Sequence, residues 1–60
     1  MTLTLKDNAD LAVDEYMYGS IPKAREFVRT TGKEGLLLFI DQLATFVGYS
    51  DAINKTFELL

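Results

Sequence analysis

Three glycines divide this chain of 60 residues into segments that are each about the length of one short helix. They are Gly19, Gly32 and Gly48. Glycine commonly ends helices, because it adopts the left-handed backbone conformation of helix C-termini without a steric penalty. The first glycine is followed by Ser20 and Pro22, which favour the cap and the opening turn of a new helix. The spacing therefore predicts consecutive short helices.

Residues that suit helix N-termini locate the other helix starts. Asp7 or Asn8 can cap the first helix, and Ser50 or Asp51 can cap the fourth. The segment 31–34 reads Thr-Gly-Lys-Glu and fits a capping box, in which the threonine and glutamate side chains bond each other's backbone amides. We therefore predict an all-α fold, a compact bundle of four short helices at about 8–18, 21–31, 33–47 and 50–60.

In the residues before the first predicted helix, polar and apolar side chains alternate with a period of two. Residues 2–5 alternate threonine and leucine, which is typical of an extended segment. We expect residues 1–6 to form a short extended arm in front of the bundle. The connections between the predicted helices are short, so residues 1–60 are expected to form a single domain.

A helical projection predicts which side of each helix is buried. The second and fourth helices each have one apolar face, whereas the third has a wide apolar arc and is expected to be central. The second helix has Ile21, Ala24, Phe27, Val28 and Thr31 on its face, and the fourth has Tyr49, Ile53, Thr56, Phe57 and Leu60. The arc of the third helix contains Leu36, Leu37, Phe39, Ile40, Leu43, Ala44, Phe46 and Val47.

Three large apolar residues lie outside the predicted buried faces: Leu11 and Tyr18 on the first helix, and Leu38 on the third. Together with Leu3 and Leu5 of the predicted arm, they are candidates for a protein interface. Tyrosine and leucine rimmed by acidic side chains are typical of interface anchors. Two other interpretations stay open, since scattered apolar surface residues are normal and the arm or the fourth helix can cover them.

Charge is distributed unevenly along the chain. The net charge is −3, with the first helix mainly acidic and the second mainly basic. Arg25 and Arg29 lie one helical turn apart, and we consider them a candidate contact for an acidic or phosphorylated partner. The alternative is that the two helices pack side by side and their charges form solvated ion pairs.

The residue types needed for common site chemistry are missing. The sequence contains no cysteine and no histidine, which removes the usual zinc ligands and the usual base that activates a serine. It also lacks the spacing of carboxylates that forms a calcium loop. We therefore expect no catalytic activity, no metal and no cofactor.

The hydropathy of the chain and its first residues indicate where in the cell the protein is expected. The most apolar stretch, residues 36–49, contains Asp41 and is shorter than the roughly 20 residues that a membrane span requires. The first residues lack the basic start and apolar core of a secretory signal. We expect no membrane association and a cytoplasmic location.

Small size gives the leading functional hypothesis. A domain of about 60 residues has a marginal core, and association is a common source of added stability. We predict a small acidic protein-binding module, such as an adaptor, an inhibitor or an antitoxin-like regulator, that forms a homodimer and can bind a larger host protein. The alternatives are a small dimeric DNA-binding transcription regulator, against which the acidic charge counts, and a structural subunit of a larger assembly.

Overall fold

The computed structural model describes residues 3–60, and this part of the chain contains four helices. They are α1 (Leu5–Tyr18), α2 (Ile21–Thr30), α3 (Gly32–Val47) and α4 (Tyr49–Leu59). The predicted all-α bundle of four short helices is confirmed. The largest difference from the predicted boundaries is at the start of α1.

The first helix begins earlier than the sequence pattern predicted. Thr4 is its N-cap: the Thr4 hydroxyl accepts a hydrogen bond from the Asp7 amide at 3.1 Å, and the Asp7 carboxylate accepts one from the Thr4 amide at 3.2 Å. The predicted extended arm is therefore wrong at Leu5 and Lys6, which are helical. Two alternating pairs are too short to determine conformation when a capping box is available. Residues 1 and 2 of the predicted arm lie outside the described residues.

The capping box predicted at the start of α3 does not form. Thr31 makes no side-chain capping bond, and its backbone is helical. The next residue, Gly32, has a φ of 84°, in the left-handed region that favours glycine. The Thr31 side chain lies against buried Gly35, where an added Cβ atom would be 1.8 Å from the threonine hydroxyl oxygen. The space that Gly35 leaves is therefore occupied by Thr31.

Helix α3 is central, as predicted, because it contacts each of the other three helices and packs most extensively on α1 and α4. Its Phe39 is fully buried and packs edge-to-face on Tyr16 at a ring separation of 6.4 Å. Phe27 packs on the same ring at 6.2 Å. The buried apolar residues are Ala9, Ala12, Val13, Ala24, Val28, Phe39, Ile40, Leu43, Ala52 and Leu59. Alanines are prominent in this set, and because an alanine side chain is small, each of them buries little apolar area.

The orientation of α4 differs from the prediction. Its buried side chains are Ala52, Thr56 and Leu59, and only Thr56 belongs to the predicted buried face. The small Ala52 side chain is fully buried and allows α4 to lie close to its neighbours, which are α2 and α3. The helix therefore contacts the bundle through a line of residues that lies beside its most apolar face.

The apolar arc of α3 also needs correction. Leu37 and Phe46 were assigned to the buried arc, but they are 51% and 47% exposed. Leu38 was placed outside the arc, and the structure covers it in part. The periodicity located the middle of the buried face, at Phe39 and Leu43, but not its edges.

Candidate functional site: an apolar stripe on α4

Several large apolar side chains are exposed on the surface of the described part of the chain. Within residues 3–60, those that are exposed are Leu3, Leu5, Leu11, Tyr18, Ile21, Leu37, Phe46, Tyr49, Ile53, Phe57 and Leu60. Single apolar residues on a surface need no explanation, but a contiguous group is typical of an interaction site. The arrangement of these residues therefore matters more than their number.

One group among them is contiguous along a helix. Tyr49, Ile53, Phe57 and Leu60 are separated by four, four and three residues, so they lie on one side of α4 and its C-terminal cap. We call them the α4 stripe. Their exposed fractions are 59%, 36%, 62% and 48%, respectively. Four large apolar side chains of α4 and its C-terminal cap are thus exposed to solvent along the length of the helix.

Each end of the α4 stripe is hydrogen-bonded to a charged residue, and the two charges have opposite signs. At the first end, the Tyr49 hydroxyl donates to the Asp41 carboxylate of α3. At the other end, the Arg29 guanidinium of α2 donates to the Leu60 carbonyl at 2.8 Å. The α4 stripe therefore has an acidic end and a basic end.

The Tyr49 phenol is affected by its acceptor. The hydrogen bond to Asp41 raises the pKa of Tyr49 above the ordinary value of 10.0. Partial desolvation and the negative charge of Asp41 act in the same direction. The phenol consequently remains a neutral donor across the physiological pH range.

The predicted interface residues do not form one surface. Leu5 and Leu11 line a groove of about 320 Å³ between α1 and α2, together with Phe27 and other residues. Tyr18 is 76% exposed but does not line this groove, and Leu38 on α3 is partly buried and does not line it either. The structure therefore brings together two of the candidates, and their role in an interface stays a prediction.

Leu3 lies outside this groove as well. It precedes the Thr4 cap and is 53% exposed. Its place in an interface also stays a prediction.

The two arginines predicted to contact an anionic partner have acceptors within the chain. Arg25 donates through Nε to the Leu59 carbonyl at 3.2 Å, while Arg29 binds the Leu60 carbonyl. Both guanidinium groups therefore cap the C-terminal end of α4, where the helix dipole favours positive charge. Binding of an external anion by this pair stays a prediction.

The alternative explanation of the charge pattern holds in part: α1 and α2 pack side by side, but among residues 3–60 no ion pair within 4 Å joins them. In the described part of the chain, the ion pair within 4 Å is Lys6 with Asp10 at 3.4 Å, and both residues belong to α1. The acidic residues of α1 and the basic residues of α2 form no such pair among residues 3–60. The arginines of α2 bind the end of α4 instead.

The sequence interpretation missed the α4 stripe because it assigned these residues to the core. Tyr49, Ile53, Phe57 and Leu60 are the most apolar side of the helix, and such a side is usually buried. A signal that distinguishes the two possibilities is the adjacent line of Ala52, Thr56 and Leu59, which is also largely apolar. A helix with two adjacent apolar lines can bury one of them and leave the other for a partner.

Comparison of the chain with protein-family models, with curated proteins and with solved structures gives no match. None of the helices in residues 3–60 is long and apolar enough to cross a membrane. In the same residues, no three acidic side chains are grouped closely enough to hold a metal ion.

Proposed function

We propose that this chain is a small protein-binding module that self-associates through the α4 stripe. The observation that carries the proposal is the exposure of Tyr49, Ile53, Phe57 and Leu60 along one side of a single helix. Aromatic residues are enriched at the centres of protein interfaces, and a second copy of the chain is the partner that is always present.

The α4 stripe supplies part of the area that an interface requires. The chain exposes 4000 Å² in total. A specific interface typically covers about 800 Å² on each partner. Aromatic side chains bury roughly 150–250 Å² each when fully covered, and Tyr49 and Phe57 are 59% and 62% exposed, so together they can supply roughly 180–300 Å² of that area. The remaining apolar members of the stripe extend it.

Self-association also compensates for the small core. Alanines supply much of the buried set, so the folded monomer gains little from each buried position. A partner that binds only the folded state stabilises it by mass action. We propose that the homodimer acts in the cytosol as an adaptor or inhibitor, masking or bridging the surface of a larger protein.

Sedimentation of the purified chain over a range of concentrations tests this proposal. We expect the mass to rise from monomer to dimer with concentration, and the thermal midpoint to rise with it. Phe57→Glu should abolish the dimer, because it places a charge in the middle of the α4 stripe.

Asn54→Glu provides the matched control. Asn54 is exposed on the same helix but lies on a different side from the stripe, beside Asp51 and Glu58. This variant should dimerise like the natural chain. A monomeric mass at every concentration, or equal dimerisation of the Phe57→Glu variant, would overturn the proposal.

A further inference from the structure

The order of side chains in the α4 stripe is self-complementary when two helices run antiparallel. With the twofold axis between Ile53 and Phe57, Ile53 of one copy meets Phe57 of the other, and Tyr49 meets Leu60. An aromatic side chain then faces an aliphatic one at every position. Large and smaller side chains interdigitate better than two aromatic rings that compete for the same space.

The charges at the ends of the stripe are also complementary in this orientation. Asp41 is bonded to Tyr49 at one end, and Arg29 is bonded to Leu60 at the other. An antiparallel pair brings the acidic end of each copy to the basic end of its partner. Opposite charges across an interface favour the correct orientation and speed association.

A parallel arrangement lacks both advantages. It would place Tyr49 against Tyr49 and Phe57 against Phe57, and it would bring together the two Asp41 carboxylates. The two Arg29 guanidinium groups would also face each other. Repulsion between like charges disfavours the parallel pair, so the α4 stripe favours the antiparallel orientation.

We propose that two copies of the chain pair through their α4 stripes in antiparallel orientation, with Asp41 of each copy facing Arg29 of the other. This inference rests on the proposed self-association and specifies its geometry. The dimer contains two such charge pairs, because the twofold axis repeats each contact. The alternating aromatic and aliphatic residues form the centre of the interface, and the charge pairs lie at its two ends.

Charge reversal tests the geometry. Arg29→Glu and Asp41→Lys should each raise the dimer dissociation constant by about tenfold or more, because each places like charges together at both ends. An equimolar mixture of the two variants should form a heterodimer nearly as well as the natural chain, since every end contact again joins opposite charges. The double variant, which carries both Arg29→Glu and Asp41→Lys, should form a homodimer nearly as well as the natural chain for the same reason.

A contact between residues 29 and 41 of the same copy cannot account for this recovery of dimerisation. Asp41 and Arg29 are bonded to Tyr49 and Leu60, at opposite ends of α4, and a helix rises about 1.5 Å per residue, which separates these two ends by roughly 16 Å along the helix axis. Asp51→Lys is the matched control for Asp41→Lys, because it reverses a charge on α4 away from the stripe. This control should weaken the dimer less than Asp41→Lys does.

The outcomes distinguish the two proposals. Recovery in the mixture supports the antiparallel pair. The antiparallel geometry is overturned if the mixture dimerises as weakly as the separate variants do. It is also overturned if the single variants dimerise normally. In both cases the proposed self-association stands. A natural chain that is monomeric throughout overturns the proposed function itself. Arg29→Gln, which keeps a donor for the Leu60 carbonyl, separates loss of charge from loss of the helix cap, and circular dichroism verifies folding.

Discussion

The hydroxyl of Tyr49 donates a hydrogen bond to the carboxylate of Asp41, which links the first turn of α4 to the middle of α3. The two residues are eight positions apart, on either side of the turn at Gly48. This contact holds the Tyr49 side chain along α3 although the residue is largely exposed. It therefore orients one end of the α4 stripe.

The first prediction concerns the titration of Tyr49. Its pKa is raised in the folded state, so the stabilising contribution is fully present below the ordinary tyrosine pKa of about 10 and is lost as pH rises through the folded value. Deprotonation removes the donor and places two negative charges together. Ultraviolet titration of tyrosinate, with Tyr49→Phe identifying the signal, should show that Asp41→Asn lowers the pKa of Tyr49. An unchanged or higher value in that variant would contradict the assigned cause.

The second prediction is that Gly35→Ala destabilises the chain although Gly35 lies inside a helix. Alanine in a helix interior is ordinarily more stable than glycine by about 0.5–1 kcal/mol. Here the new Cβ atom would lie 1.8 Å from the Thr31 hydroxyl oxygen and 2.7 Å from the Thr31 Cβ atom. We expect a loss of about 1–3 kcal/mol in the free energy of unfolding, measured by urea denaturation.

A double-mutant cycle identifies the cause of that loss. In a Thr31→Gly background the side chain that the new Cβ atom meets is absent, so Gly35→Ala should cost much less than it does in the natural chain. Equal costs in the two backgrounds would show that contact with Thr31 is not responsible.

The third prediction separates the hydroxyl of Thr56 from its methyl group. Thr56 is fully buried, and its hydroxyl donates to the Ala52 carbonyl at 2.7 Å. That carbonyl also accepts the ordinary helical bond, so Thr56→Val should change the free energy of unfolding by no more than about 0.5 kcal/mol. Thr56→Ser keeps the hydroxyl but removes a buried methyl group, which should cost about 1 kcal/mol. Thermal denaturation of the two variants shows which of them is less stable. A greater loss of stability in Thr56→Val than in Thr56→Ser would show that the hydroxyl matters more than the methyl group.

The local signals in the sequence were sufficient for the number and type of the helices. Gly19 and Gly48 end α1 and α3, and Ser20 with Pro22 begins α2, as predicted. These features depend on the backbone preferences and side-chain caps of a few neighbouring residues, which the sequence specifies directly. The start of α1 was less predictable, because the alternation of residues 2–5 competed with a capping box at Thr4 and Asp7.

Sequence alone determined that this chain forms four helices with α3 at the centre, and only the tertiary structure decided which side of α4 is exposed. Helical periodicity shows where apolar side chains accumulate, and it pointed to Tyr49, Ile53 and Phe57. Burial depends instead on how closely helices approach, and the small side chain of Ala52 allowed α4 to pack on an adjacent line of residues. The apolar side that periodicity assigned to the core therefore became the α4 stripe.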